Sequence, residues 1–209
     1  MALPRPVPEG GFSFTWEPSV AALNLPLKDF LSTRTPIAGA ATGALVFSKA
    51  TGTDRVLLIQ RAAHDSMPLR WEIPGGACDP EDETLLHGLG RELWEEAGLR
   101  LKRVVRQVGG EQTFFTRSGR VIAKVTFETE VETMPSSAGE NGALEQEALP
   151  EVTLDANEHA RFLWATEEEC RLGKVAVLGS GGEDAVVDIN FTAKAQKSVI
   201  LLGFKLRKD

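Results

Sequence analysis

The 209-residue sequence has no tyrosine, only two cysteines and three histidines, and no apolar run near the roughly 18 residues that a membrane-spanning helix needs. Cys78 and Cys170 are too few and too far apart for a disulfide framework or a thiolate zinc cluster, which suits a reducing compartment and leaves neither thiol needing a role. His64, His87 and His159 lie apart with no metal-ligand spacing, and structural roles are expected for all three. Prolines at positions 4, 6 and 8 interrupt the stretch where a secretory leader would be unbroken and apolar, and the last residues match no lipidation or retention signal. A cytoplasmic protein is expected. Positive charge is also short, with 23 Lys and Arg against 30 Asp and Glu and a net charge of −7. That balance argues against a nucleic acid polymer and against an anionic membrane surface as partners. No repeat of solenoid period and no long low-complexity tract is present.

What remains is an ordinary globular composition, 42% hydrophobic and 25% charged, at a length that suits one domain plus some ornament. The proline-rich residues 1–36, anchored by Phe12, Phe14, Trp16 and Phe30, read as an N-terminal arm packed on the domain, and 37–209 read as the domain itself. Ala38 to Phe47 and Arg55 to Arg61 predict neighbouring strands joined as a hairpin through Gly52 and Asp54. Trp71 to Ile73 is a short extended piece stopped by Pro74, Gly75 and Gly76, followed by a helix over about Glu83 to Ala97 that Gly98 ends. Leu101 to Phe115 and Val121 to Glu132 predict paired strands about a turn at Ser118 and Gly119. The stretch 134–150 reads as a loop, Arg161 to Ala165 as a last strand, Thr166 as a helix cap, and Asn190 to Lys205 as a final amphipathic helix. Interleaved strands and helices favour a layered α/β domain.

The charge is concentrated. Seven acids and one base, Arg91, lie between Gly75 and Leu99, so nearly all the net charge sits in that segment. At 100° per residue, Leu85, Leu86, Leu89, Leu93 and Ala97 form one apolar stripe. Glu96 falls inside that stripe and Glu92 on its border, with Glu95 outside it, which an ordinary solvated face would not show. Glu92 and Glu96 are like charges at i, i+4, a spacing that disfavours the helix unless something positive compensates. Arg91 can reach Glu95, but one guanidinium cannot neutralise three carboxylates, whereas a bound cation can. Hard oxygen ligands without a nearby His or Cys favour Mg2+ or Mn2+ over zinc or copper. Gly88, between Glu92 and Glu95 on the wheel, is expected to leave open space for a hydrated ion and a substrate.

These residues resemble the box of the Nudix hydrolases, G-x5-E-x7-R-E-U-x-E-E-x-G-U with U aliphatic. The run WEIPGG ends at Gly76, Glu83 and Arg91 have the seven intervening residues, and RELWEEAGL from Arg91 to Leu99 fits position by position. The one departure is six residues rather than five between Gly76 and Glu83. The resemblance implies an α/β/α sandwich with a mixed β-sheet from about Ile37 onward, and hydrolysis of a diphosphate linkage with Mg2+ or Mn2+. Carried onto matching positions, Glu92, Glu95 and Glu96 would be metal ligands and the Gly75 carbonyl a further one. Arg91 and Glu83 would brace the carboxylates, and Glu158 resembles the distant glutamate that serves some members as general base or extra ligand.

Arg61 and Arg70 flank the loop before the box and are candidates to steady phosphates, with solvated strand-end arginines as the alternative. Phe114, Phe115 and the 134–150 loop are candidates for a leaving-group pocket. Trp94, off the leucine stripe, is expected to contact the N-terminal arm, a second subunit or its own domain, so a homodimer stays open. The substrate is expected to be a small diphosphate, a nucleoside diphosphate derivative first and a prenyl or inositol diphosphate second. Family cues for ADP-sugars, diadenosine polyphosphates, coenzyme A and NADH are missing. A diphosphate isomerase would need a catalytic cysteine, for which only Cys78 is placed, and a non-catalytic binding module would have lost box acids that are all present here.

Overall fold

The computed structural model describes residues 5–133, 148–178 and 184–208. Residues 5–36 wrap the domain and add β1 (Thr15–Trp16), a 3-10 turn (Pro18–Leu23) and α1 (Leu27–Ser32), whose Val20 and Phe30 are fully buried. The main elements then run β2 (Gly39–Ser48), β3 (Arg55–Arg61), β4 (Trp71–Glu72), α2 (Leu85–Ala97), β5 (Leu101–Gln107), β6 (Gln112–Phe115), β7 (Val121–Val131), β8 (His159–Thr166), α3 (Glu167–Leu172), β9 (Lys174–Leu178), β10 (Asp184–Asp188) and α4 (Lys194–Leu206). The principal sheet has the order β1-β5-β7-β2-β3-β4, with β6 also on β7 and β8 also on β3.

The mixed character of this sheet comes from a hairpin that does not stay closed. Strands β2 and β3 pair only at Phe47↔Val56 and Ser48↔Arg55. Beyond that, β2 runs parallel to β7 from Gly39 to Val46, and β3 runs antiparallel to β8. The segment from Trp71 to Cys78 fills the wedge between them. On one side β4 pairs with β3 at Ile59↔Glu72 and Gln60↔Trp71. On the other, the amides of Thr42 and Ala44 donate to the carbonyls of Gly76 and Pro74 at 2.9 and 2.8 Å, and the Cys78 amide donates to Ala40 at 3.0 Å. Backbone groups buried there are thus satisfied by both strands, which holds the glycine loop rigidly at the centre of the sheet.

Period-2 alternation along the central strands builds the layers. Ala44, Val46, Leu57 and Ile59 face Leu85, Leu86, Leu89 and Leu93 of α2, while Leu45, Val56 and Leu58 face Val199, Ile200 and Phe204 of α4. This is the α/β/α sandwich with a mixed sheet. Each fully buried leucine contributes about 1.5–3 kcal/mol, so the stripe fixes which side of α2 is left for the site.

Other parts of the sequence reading are corrected. Leu101 to Phe115 is two strands, β5 and β6, interrupted around Gly109 and Gly110, and both pair with β7. The strand β8 is not the last, because β9 and β10 follow as a separate two-stranded antiparallel sheet. Their sequences alternate weakly, and Val186 is 65% exposed, so little apolar periodicity marked them. The final helix begins at Lys194 rather than Asn190, since Phe191 is held beside Trp71 by an isolated bridge. Most of the 134–150 loop, residues 134–147, lies outside the described residues. No helix among the described residues is long and apolar enough to cross a membrane.

Candidate active site

Helix α2 is fixed at both ends. The Thr84 side chain caps its first turn by accepting from the His87 amide, and Gly98, at φ 67°, ends it in the left-handed region. With the leucine stripe on the sheet, Glu92 and Glu96 are directed at the glycine loop. The Gly75 amide donates to Glu96 Oε2 at 2.6 Å, and Glu96 is only 7% exposed. Two adjacent glycines are needed for two reasons. Gly75 has φ 135°, and a Cβ there would stand 2.4 Å from the Thr42 carbonyl oxygen. At Gly76 a Cβ would stand 2.4 Å from Glu92 Oε2, because that carboxylate lies flat against the loop.

Arg91 organises the acids. Its Nε and Nη2 each donate to Asp82 at 2.9 Å, Nη1 donates to both Glu92 and Glu95 at 2.9 Å, and Nη2 also donates to the Ala77 carbonyl at 2.8 Å. The planar fork thus ties the helix to the loop in a way that a lysine could not. Glu83, expected to brace the carboxylates, does not reach them. Its side chain is 79% exposed, and its one ion pair among the described residues is with His87, at 3.4 Å. Asp82 takes that position. Counting from Gly76 rather than back from Arg91 places Asp82 after five residues, so the extra residue lies after the bracing acid and not before it. Gly88 leaves no open space either, since a Cβ on it would come within 2.7 Å of Asp82 Oδ2. This glycine admits the brace.

The segment leading into β8 is laid over the last turn of α2. Thr153 and Asp155 donate their amides to the carbonyls of Ala97 and Glu96 at 2.9 and 3.2 Å, satisfying groups that a helix end leaves free. The His159 amide donates to Asp155, and the Ala62 amide to Glu158, at 2.8 and 2.7 Å. These bonds bring Glu158 and His159 beside Glu96, with one ligand-capable atom from each within 4.8 Å of the others. Arg61, at the end of β3, donates to Asp65 and Glu72 at 2.7 and 2.5 Å.

A cleft of about 350 Å³ results, lined by Arg5, Arg61, Gly75 to Ala77, Glu92, Glu95, Glu96, Asp155, Glu158 and His159. It brings together Glu92, Glu95, Glu96, Glu158, Gly75 and Arg61, with Arg91 beneath them. Arg70 is exposed and does not line it, nor do Phe114 and Phe115, which stand 45% and 76% exposed on β6. Sequence reasoning missed Asp82, Asp155 and Arg5, and left His159 as structural. The Gly76 spacing could have found Asp82, whereas nothing local marks Arg5. That arginine belongs to the arm, donates to the Thr153 carbonyl at 2.5 Å and stacks 5.1 Å from the Trp94 ring, whose Nε1 donates to Pro6 at 2.9 Å. Trp94 therefore packs on its own chain.

Burial pushes Glu92 up to about 7 against the opposing pull of Arg91, and burial holds Glu96 well above the usual carboxylate range, with the amide of Gly75 opposing it. Burial also pushes the Cys78 thiol up to about 12. Three glutamates with one arginine between them, reaching only Glu92 and Glu95, and two of them costly to ionise, are a donor set that fits a hard divalent cation such as Mg2+ or Mn2+.

The profile of the NUDIX domain matches residues 38–177. Similar solved structures include a MutT protein from Methanosarcina mazei Go1, 20% identical, covering 82% of this chain and 96% of that one at a TM-score of 0.52. An Ap4A hydrolase from C. elegans is 17% identical, covering 82% and 98% at 0.53, and a NUDIX hydrolase from Nitrosomonas europaea is 16% identical, covering 80% and 88% at 0.51. No curated protein matches the sequence. At these identities the structural likenesses show the fold.

Proposed function

The chain belongs to the Nudix family, and from that premise we propose that it is a divalent-metal-dependent hydrolase that cleaves a diphosphate linkage in a nucleoside diphosphate joined to a second group. The observation that carries this reading is the meeting of Glu92, Glu95 and Glu96 with Gly75 and Gly76 in one cleft, Glu92 and Glu95 being cross-tied by Arg91. Glu92, Glu95, Glu96 and the Gly75 carbonyl would hold Mg2+ or Mn2+. When bound, such a cation offsets the negative charge of the diphosphate and acidifies water.

The remaining steps belong to the protein. Arg91 keeps Glu92 and Glu95 at fixed separation, and Asp82 keeps Arg91 from turning toward the substrate. Glu158, exposed and lining the cleft, would accept the proton of the attacking water. Arg61 spends three of its N–H groups on Asp65 and Glu72, which fixes the guanidinium at the cleft and leaves two N–H groups that would serve a substrate oxygen. A diphosphate isomerase is not favoured, because Cys78 is 6% exposed and its thiol stays protonated at neutral pH. The proposed compartment is the cytoplasm, in keeping with two free, buried thiols.

The test is a screen of nucleotide, prenyl and inositol diphosphates with Mg2+ and with Mn2+, reading product masses in heavy-oxygen water. Release of a monophosphate from a nucleotide substrate, dependent on the metal, is expected. Turnover that persists in a chelator, or none on any diphosphate, overturns the reading.

A further inference from the structure

His159 is 3% exposed, and both ring nitrogens, Nδ1 and Nε2, are buried without a hydrogen-bond partner among the described residues. A neutral imidazole has one donor and one acceptor, and burying both unpaired is costly, so such a ring is rare unless something else occupies it. The nearest acceptors do not serve. Nε2 stands 3.7 Å from Glu72 Oε1 and 3.8 Å from Glu96 Oε1, beyond hydrogen-bond range. Glu72 already has the Arg61 guanidinium at 2.5 Å and needs no second cation.

The backbone holds the ring at this corner. In the β3–β8 ladder Gln60 pairs with Arg161 but Arg61 with His159, which leaves Ala160 as an extra residue. A bulge of this kind re-aims the side chains next to it. The His159 amide is tied to Asp155, whose own amide is tied to the end of α2. The ring is therefore fixed beside Glu96 by two independent elements.

We propose that His159 is a nitrogen ligand of the divalent cation, sharing it with Glu96 and leaving Glu158 beside the ion as the base. This rests on the metal-dependent reading above and adds to it a donor that the box lacks. An imidazole among carboxylates moves the preference of a site away from Mg2+, modestly toward Mn2+ and more strongly toward the borderline Co2+ and Zn2+. The cleft is then selective for transition ions in a way an all-oxygen set is not.

The test uses the untagged full chain and Mn2+ as the probe, with binding followed by electron paramagnetic resonance and ligation by electron spin-echo modulation. Nitrogen modulation on bound Mn2+ is expected, changing when histidine is labelled with 15N, lost in His159→Gln and kept in His64→Gln. Binding should weaken at least about tenfold in His159→Gln. If that variant does not fold, the 15N comparison in the natural sequence decides alone. Bound Mn2+ that is displaced in Glu92→Gln but shows no nitrogen modulation overturns the ligand assignment while leaving the metal site standing. Absence of any Mn2+ binding overturns both.

Discussion

Arg91 and His159 stand on opposite sides of the same row of glutamates, and their surroundings are opposite in kind. The arginine donates to three carboxylates and a carbonyl, so all five of its own N–H groups are paired within the protein. The histidine corner has two ring nitrogens that are unpaired among the described residues, against a buried carboxylate. A saturated polar network holds position, whereas an unsaturated buried group calls for a cause such as a bound ion or water. The cleft thus has a scaffold side and a working side.

The largest effect should come from the working side. Glu96→Gln keeps the shape, and Gln can still accept from the Gly75 amide, but it removes the charge. Activity on a confirmed substrate should fall by about 10²–10⁴-fold, while thermal unfolding in chelator should be unchanged or improved, because a buried carboxylate has been removed. A variant that turned over at the natural rate would remove Glu96 from the site. Next in size is the scaffold side. Arg91→Met leaves Asp82, 8% exposed, and two glutamates without a countercharge. A loss of about 3 kcal/mol is expected in denaturant unfolding, and Arg91→Lys should recover little of it. Loss of stability with Arg91 but not with Glu96 is the outcome that keeps the two sides distinct.

A smaller effect sharpens the scaffold itself. Asp82→Asn should cost about 1–3 kcal/mol, since it weakens a bidentate pair with Arg91. Glu83→Gln, at an exposed position, should stay within about 0.5 kcal/mol. Equal costs in chemical denaturation would return the bracing role to Glu83.

That pair also marks where the sequence stopped being readable. The leucine stripe, the glutamates on its border, the Gly98 stop and the capping Thr166 were legible because each depends on a short-range spacing that α-helix geometry makes repeat. The bracing acid was one residue off, because two neighbouring acids satisfy one motif from opposite ends and only the fold shows which carboxylate turns inward. The parting of β2 from β3 was not legible, since it depends on β7 and on the 71–78 segment competing for the same edges. His159 and Arg5 reach the cleft through contacts across 63 and 148 positions of chain, to Glu96 and Thr153, that no local pattern encodes.

A further effect is in pH, and it tests whether the working side calls for a cation. Glu92 has an ordinary value of 4.5 in the unfolded chain and about 7 when folded, with burial as the first cause, and Glu96 moves in the same direction. Between those values the native protein binds more protons than the unfolded one, so this contribution to stability is full below pH 4.5 and is lost as pH rises toward 7. Other carboxylates titrate too, which makes the comparison with Glu92→Gln, neutral at every pH, the measurement to make. In chelator the variant should gain on the natural protein, in melting temperature, as pH rises across this window. With saturating Mn2+ the order should reverse, because the ion binds the ionised carboxylates and releases their protons. Parallel melting curves in both conditions would mean that Glu92 is paired well enough without an ion, and the distinction between the two sides of the cleft would narrow to His159.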